Sequence, residues 1–280
     1  MRQNGPDPYK TITPLTRFRS ELVILPLLIL ATSWQSARAW QPADVPVANR
    51  ASLTVEQVVR NLVEMNQHRI EALRAYQAKR IYRVEYKGFP GTRSAEMVVS
   101  VKYAAPGAKE FVIQSATGSN VIIEKVFHKL LEAEKEALNA ENQQNSALTQ
   151  ENYRFRLVGY ESGPSGAMYV LTVEPRKSEK YLYRGRIWVD ADDFAVVRLE
   201  AEPAKNPSFW TKKAEIVQEY TKVSDFWLPA RNHSMTAVRL GGHAELTIDY
   251  KDYEITGAGR VGRLSPARTT PPDETARVRR

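Results

Sequence analysis

The sequence has no cysteine and only four histidines among its 280 residues. Without cysteine the chain can form no disulfide bond, and no cysteine is available for lipid attachment. The histidines show neither H-x-H nor H-E-x-x-H spacing; they are His68, His128, His233 and His243. No glycine-rich loop precedes a predicted helix, so a phosphate-cradling loop is also missing. We therefore expect no cofactor and no metal.

Long apolar runs are absent as well. The longest, from Leu22 to Trp34, has 13 residues and is interrupted by Pro26, whereas about 20 are needed to span a bilayer as a helix. Basic residues precede the run, and an A-x-A sequence follows it at 37–39. This arrangement is typical of a cleavable secretory signal peptide. We predict a signal peptide over 1–39, with an uncleaved membrane anchor as the alternative, and a proline-rich linker over 40–52.

The net positive charge of the body of the chain is small. The formal net charge is +8, but residues 1–39 contribute +3 and residues 257–280 contribute +4. The remaining residues therefore carry only +1, and a nucleic-acid-binding domain needs its basic patch on the folded surface. We expect no nucleic acid as a partner. The segment 257–280 is rich in Gly, Pro, Arg and Thr and lacks apolar periodicity, so we predict a disordered tail.

Two segments show helical periodicity. Around "SLTVEQVVRNLVEMNQHRIEALRAY", Thr54 and Gln57 form a capping box at the start of a predicted helix that ends near Tyr76. Its apolar stripe consists of Val55, Val58, Val59, Leu62, Val63, Ile70 and Leu73. A second helix is predicted from Asn120 to about Asn139.

Strand patterns occupy most of the remaining chain. Residues of alternating polarity run through "YQAKRIYRVEY", "AEMVVSVKY" and "NYRFRLVGYE", and similar segments continue to "HAELTIDYKDYEI". About ten strands follow one another, mostly as consecutive hairpins. This spacing favours one antiparallel, strongly curved sheet over βαβ units. The fold class is therefore mainly β with helices, an α+β protein.

Three aspartates, Asp190, Asp192 and Asp193, lie between two predicted strands. Aspartate favours turns because its side chain accepts hydrogen bonds from nearby backbone N–H groups, so we predict a hairpin turn. A four-residue connection would place Val189 beside Phe194. The alternative, a metal site, lacks the glycine and the closing glutamate of a calcium loop. With no other catalytic spacing in the chain, we predict that the protein is not an enzyme.

Arg80 interrupts an otherwise apolar strand face. A buried guanidinium without a partner is costly. Either this face opens into a cavity or rim, or the Arg80 side chain extends outward to solvent.

Two stretches carry a family resemblance. The sequence "RIWVDADDFAVVRLEAE" resembles the strand, acidic turn and strand of the LolA-like family, and "EIVQEYTKVSDFWLP" resembles its later paired strands. Weaker similarity extends from about Leu53 to Ile255. The resemblance implies an unclosed β-barrel of about ten strands covered by two helices, here residues 53–256. One departure is "VKYAAPG", where the family's lid-latching arginine before proline is absent.

The resemblance also implies a function. LolA-like proteins are periplasmic carriers of outer-membrane lipoproteins, so we expect a monomeric, non-catalytic periplasmic protein that binds lipoprotein acyl chains or lipid. Inner- or outer-membrane sorting proteins are possible partners. The first alternative is a periplasmic sensor that binds lipoproteins and an anti-sigma-type partner, and the second is an envelope hydrolase.

The predicted ligand site combines the implied fold with the strand and helix patterns. We expect Arg80 at the mouth of a groove on the inner face of the sheet. The predicted lining residues are Tyr82, Val84, Met97, Val99 and Val101 from strands, with Ile123, Phe127 and Leu130 from the second helix. The alternative is a fully packed core at the same place.

Overall fold

The computed structural model describes residues 53–163, 166–205, 211–238, 241–262 and 264. The predicted signal peptide, the linker and most of the predicted tail lie outside these residues. Among the helices that the structure describes, none is long and apolar enough to cross a membrane.

Helix α1 spans Val55–Ala72 and begins where the sequence predicted. Thr54 Oγ1 accepts a hydrogen bond from Gln57 N at 3.3 Å, and Gln57 Oε1 accepts one from Thr54 N at 2.8 Å. The predicted end near Tyr76 was wrong, because the backbone turns extended at Leu73 and continues as strand β1.

Ten strands form one antiparallel sheet in the order β3-β2-β1-β10-β9-β8-β7-β6-β5-β4. The bounds are Leu73–Lys87 (β1), Arg93–Ala104 (β2), Ala108–Gly118 (β3), Tyr153–Gly163 (β4), Gly166–Pro175 (β5), Tyr183–Asp190 (β6), Val196–Pro203 (β7), Thr211–Val223 (β8), Phe226–Val238 (β9) and His243–Ala258 (β10). The edge strands β3 and β4 do not pair, so the sheet stays unclosed. The predicted fold class, mainly β with an unclosed antiparallel sheet and helices, is confirmed.

The connection from β3 to β4 is helical. It contains α2 (Asn120–Ile122), a π-helical segment (Ile123–Phe127), α3 (His128–Ala137) and α4 (Ala140–Ser146). The first three segments form one continuous rod, the middle helix, at the place of the second predicted helix. The π-helical turn and α4 were not predicted. A π-helical turn forms i→i+5 hydrogen bonds and so contains more residues than an α-helical turn. This spacing matches the five residues that separate the buried Ile122 from the buried Phe127.

The core has two halves, each covered by one helix. Helix α1 packs its Val58, Val59 and Leu62 against the inner face of β4 to β7. The middle helix packs its apolar stripe against the inner faces of β1, β2 and β10. Strand β10 continues to Ala258, and Val261 and Leu264 beyond it pack against these core residues.

Candidate functional site

The nine residues predicted to form the ligand site lie together. Eight of them are buried, and Ile123 is partly buried. They occupy β1 (Arg80, Tyr82 and Val84), β2 (Met97, Val99 and Val101), the π-helical segment (Ile123 and Phe127) and α3 (Leu130). In this conformation they form a packed cluster in which Met97, Val99 and Phe127 are 0% exposed. Contact with a ligand there requires the middle helix to move, and their binding role stays a prediction.

Arg80 does not extend to solvent, since it is 3% exposed. Its Nη1 forms an ion pair with Glu134 of α3 and donates a hydrogen bond to the Tyr82 hydroxyl at 3.3 Å. Its guanidinium also lies 4.9 Å from the ring centre of Tyr250. Lys109 Nζ of β3 contacts the other oxygen of Glu134 at 2.7 Å. A single carboxylate on the helix therefore meets cations from two strands.

This ion-pair network determines the charge state of its members. Burial alone would raise the pKa of Glu134, but Arg80 and Lys109 outweigh that effect and lower it to about 2. Burial lowers the pKa of Arg80, but Glu134 and the other neighbours together raise it by more. The pKa of Arg80 therefore lies well above its ordinary value. Burial raises the pKa of Tyr82 to about 12. At neutral pH the ion pair is fully charged, and it fastens the middle helix to the sheet.

An apolar groove lies elsewhere, between α1 and the β8–β9 hairpin. Its volume is about 340 Å³, within the range of small-molecule sites of about 300–1,000 Å³. Its apolar lining comprises Leu62, Val63, Ile70, Leu73, Ala147, Leu148, Ala195, Val196, Tyr220, Phe226, Trp227 and Leu228. Val63 is 36% and Ile70 55% exposed, so both present apolar surface at the groove. We call this space the α1 groove.

Arg69 lines the α1 groove and fixes one of its walls. The side chain is 7% exposed, and its Nη1 and Nη2 donate to the carbonyl oxygens of Asp193 and Phe194 at 2.9 and 2.8 Å. Burial lowers the pKa of Arg69, partly offset by the charges of Asp193 and Asp190. These bonds join the last turn of α1 to the connection between β6 and β7.

The polar groups in the α1 groove are few. Asn66, Gln67, Arg69 and Thr149 accompany the apolar lining, and burial raises the pKa of the Tyr220 hydroxyl to about 12. Tyr220 is therefore protonated near neutral pH and is a poor general base. Such a lining suits the binding of an apolar chain better than proton transfer.

The aspartate cluster forms a turn, as predicted. Asp190 Oδ1 accepts hydrogen bonds from the backbone N–H groups of Asp192 and Asp193 at 3.0 and 2.7 Å. The expected register was wrong, because Val189 pairs with Val196 and Phe194 lies in the connection with φ of +47°. Within the described residues, no group of three or more His, Asp or Glu could hold a metal ion.

The apolar stripe of α1 is a sequence signal for the α1 groove, which was not predicted. Val63, Ile70 and Leu73 belong to the predicted apolar stripe of α1, and this stripe is wider than the core requires. The residues at its margin line the groove. The opposite wall, from Tyr220 to Leu228, follows α1 by about 150 residues, and sequence periodicity carries no information about such long-range contacts.

No family model matches the chain. No curated protein matches it in sequence. Several solved structures are similar to it, including the following three. A DUF1329 family protein from Desulfovibrio piger has 14% identity and a TM-score of 0.39, covering 73% of this chain and 94% of its own.

A putative outer membrane lipoprotein-sorting protein domain from Vibrio parahaemolyticus has 13% identity and a TM-score of 0.36, covering 72% of this chain and 94% of its own. A LolA superfamily protein from Nitrosomonas europaea has 12% identity and a TM-score of 0.34, covering 74% and 96%. The unclosed sheet with its helices, seen in this chain itself, is the fold that the LolA-like resemblance implies.

Proposed function

We propose that the protein is a non-catalytic periplasmic carrier that binds an acyl chain of a lipid or lipoprotein in the α1 groove. The observation that carries this proposal is the apolar lining of the groove together with the exposed side chains of Val63 and Ile70. Apolar surface removed from water contributes about 25 cal/mol per Å². An acyl chain that covers these side chains gains this stabilisation without chemical change.

The position of the groove supports a carrier. It lies along a single helix that leads directly into β1, and one wall is a hairpin. Movement of either element would widen the groove. The middle helix, in contrast, is held by the buried Arg80–Glu134 ion pair, so we expect it to stay closed while α1 exchanges ligand.

The proposed export and the proposed sorting partners rest on sequence patterns. The predicted signal peptide favours the periplasm, and the LolA-like motifs favour transfer of acylated cargo to membrane sorting proteins. Both remain part of the proposal.

Native mass spectrometry of protein purified gently from cell envelopes tests the proposal. We expect a co-purifying lipid or acylated peptide that a detergent wash removes. A bare protein mass, together with no lipoprotein among crosslinked partners, would contradict it. Crosslinking that recovers only a membrane-anchored regulator would favour the sensor function instead.

A further inference from the structure

The outer face of β4 to β8 forms a second concave surface, on the opposite side of the sheet from the α1 groove. We call it the outer trough; its volume is about 1040 Å³. A Cβ atom at Gly185 would lie only 2.0 Å from the Glu200 carbonyl oxygen. Glycine therefore allows β6 and β7 to approach closely at the floor of the trough. Its charged lining consists of Arg154, Arg156, Arg184, Arg186, Glu174, Glu200, Glu202 and Glu215.

One row of side chains across the trough alternates in charge. Arg154 is directly opposite Glu174, and Arg184 is opposite Glu202. Arg184 Nε lies 3.4 Å from Glu174, and Lys213 Nζ lies 2.9 Å from Glu202. Opposite charges side by side on neighbouring strands stabilise a sheet. Each carboxylate of this row contacts a cation of the same row.

The next row lacks one negative charge. Arg156 is opposite Thr172, Thr172 is opposite Arg186, and Arg186 is opposite Glu200. A neutral hydroxyl therefore stands between two arginines, where the first row has Glu174. Glu200 forms its ion pair with Arg198, whose Nη2 lies 2.7 Å from it, and not with Arg186.

The other carboxylates of the trough are also engaged. Lys213 contacts Glu215 as well as Glu202, and Arg184 contacts Glu174. No carboxylate among the described residues forms an ion pair with Arg156 or Arg186, although Arg186 lies 5.9 Å from the ring centre of Trp188. Both arginines are exposed. Within the described part of the chain, two arginines without an ion-pair partner thus flank Thr172.

We propose that Arg156 and Arg186 bind a phosphate group above Thr172. The two strands that carry them are separated by β5, so their backbones lie about 9–10 Å apart. Long arginine side chains can converge across this gap, and the planar guanidinium suits the oxygens of a phosphate. The Thr172 hydroxyl donates to the Arg156 carbonyl oxygen at 3.4 Å. Rotation of this O–H group would let it donate to the anion instead.

The trough is larger than one phosphate, which indicates a phosphate ester as the ligand. Val158, 46% exposed, and Val217 form apolar parts of the lining. The remainder of a phosphorylated ligand can lie against them. The phosphate belongs either to a lipid headgroup or to a soluble metabolite, since both present the same anion. This site lies on the opposite face from the α1 groove and does not depend on acyl binding there.

Thr172→Glu tests the proposal, because it supplies the missing carboxylate from the chain itself. The variant should fold, since Glu174 occupies the equivalent place in the neighbouring row. Calorimetric titrations with inorganic phosphate and with glycerol 3-phosphate, and sedimentation with phosphatidylglycerol vesicles, measure binding. We expect the wild type to bind at least one of these probes. Thr172→Glu should bind the same probe at least about tenfold more weakly.

Matched variants separate a local site from general charge. Arg186→Gln should weaken binding, whereas Arg83→Gln should not, because Arg83 lies on a distant part of the sheet and is paired with Glu96 and Asp249. Binding of vesicles alone assigns a lipid headgroup, and binding of the soluble phosphates alone assigns a metabolite. Absence of binding to all three probes, or equal binding by the wild type and Thr172→Glu, overturns the proposal.

Discussion

Arg80 of β1 and Glu134 of α3 form an ion pair that joins the inner face of the sheet to the helix covering it. Arg80 is 3% exposed and its partner's side chain 27%, so the contact lies largely away from water. Lys109 of β3 shares the same carboxylate. Removing this carboxylate would leave two cations without their shared counter-charge.

Replacement of Glu134 by glutamine should therefore destabilise the protein strongly. Breaking one side of a buried pair leaves an uncompensated charge, which costs about 3–5 kcal/mol. Urea unfolding at pH 7 measures the difference in the free energy of unfolding. Glu132→Gln removes the same charge from an exposed position on the same helix and should change stability by less than about 0.5 kcal/mol. Equal effects of the two variants would mean that the ion pair does not hold the helix.

The stability contributed by Glu134 should depend on pH. Its pKa of about 2 in the folded protein lies below the ordinary 4.5. A lowered folded-state pKa stabilises fully above the unfolded-state value, and this stabilisation is lost as the pH falls from about 4.5 towards 2. The shift corresponds to about 3 kcal/mol. In unfolding experiments the gap between the wild type and Glu134→Gln should stay constant from pH 7 to 5 and shrink below that. A gap that is unchanged at pH 3 would contradict this origin of the stability.

The sequence specified much of the fold because local signals are strong there. The capping box of Thr54 and Gln57 placed the start of α1, and alternation placed the strands. The end of α1 was misplaced because Leu73 and Tyr76, three residues apart, suit a helix as well as a strand. Pairing of Leu73 with Ala258 decides in favour of the strand, and this contact is distant in sequence.

The site was less predictable for the same reason. Arg80 and its apolar neighbours share strand faces, so alternation along the strands predicts that they lie close together. Whether that cluster is open or packed depends on how the middle helix lies on it, and the π-helical turn was not foreseen. Prediction of the outer trough would require the register of five neighbouring strands. The wrong pairing expected for Val189 and Phe194 shows that a single turn can shift such a register.

Val99→Trp probes the packed cluster around Arg80. Val99 is 0% exposed, so a larger side chain should overpack the core and destabilise by about 1–3 kcal/mol. Binding of a fluorescent fatty acid should stay unchanged, since Val99 is remote from the lining of the α1 groove. A thermal melt and a binding titration of the same sample measure both quantities. Lost binding with an unchanged melting temperature would instead place the ligand in the predicted site beneath the middle helix.

Arg69→Leu should loosen α1. The substitution removes the two hydrogen bonds to the Asp193 and Phe194 carbonyl oxygens and leaves these acceptors without their partner. The expected cost is about 1–3 kcal/mol, with faster amide hydrogen exchange in the last turns of α1. Arg60→Leu, exposed on the same helix, serves as the control and should have little effect. Unchanged exchange in the Arg69 variant would show that these bonds do not anchor the helix.

Binding of a fluorescent fatty acid to Ile70→Glu tests the central claim most directly. Ile70 is 55% exposed at the α1 groove, so glutamate there should hardly affect folding but should place a charge against the acyl chain. Arg60→Glu puts the same residue on the same helix at an exposed position that does not line the groove. We predict that Ile70→Glu weakens binding at least about tenfold, while Arg60→Glu binds like the wild type. Equal affinity of the wild type and Ile70→Glu would contradict acyl binding in the α1 groove.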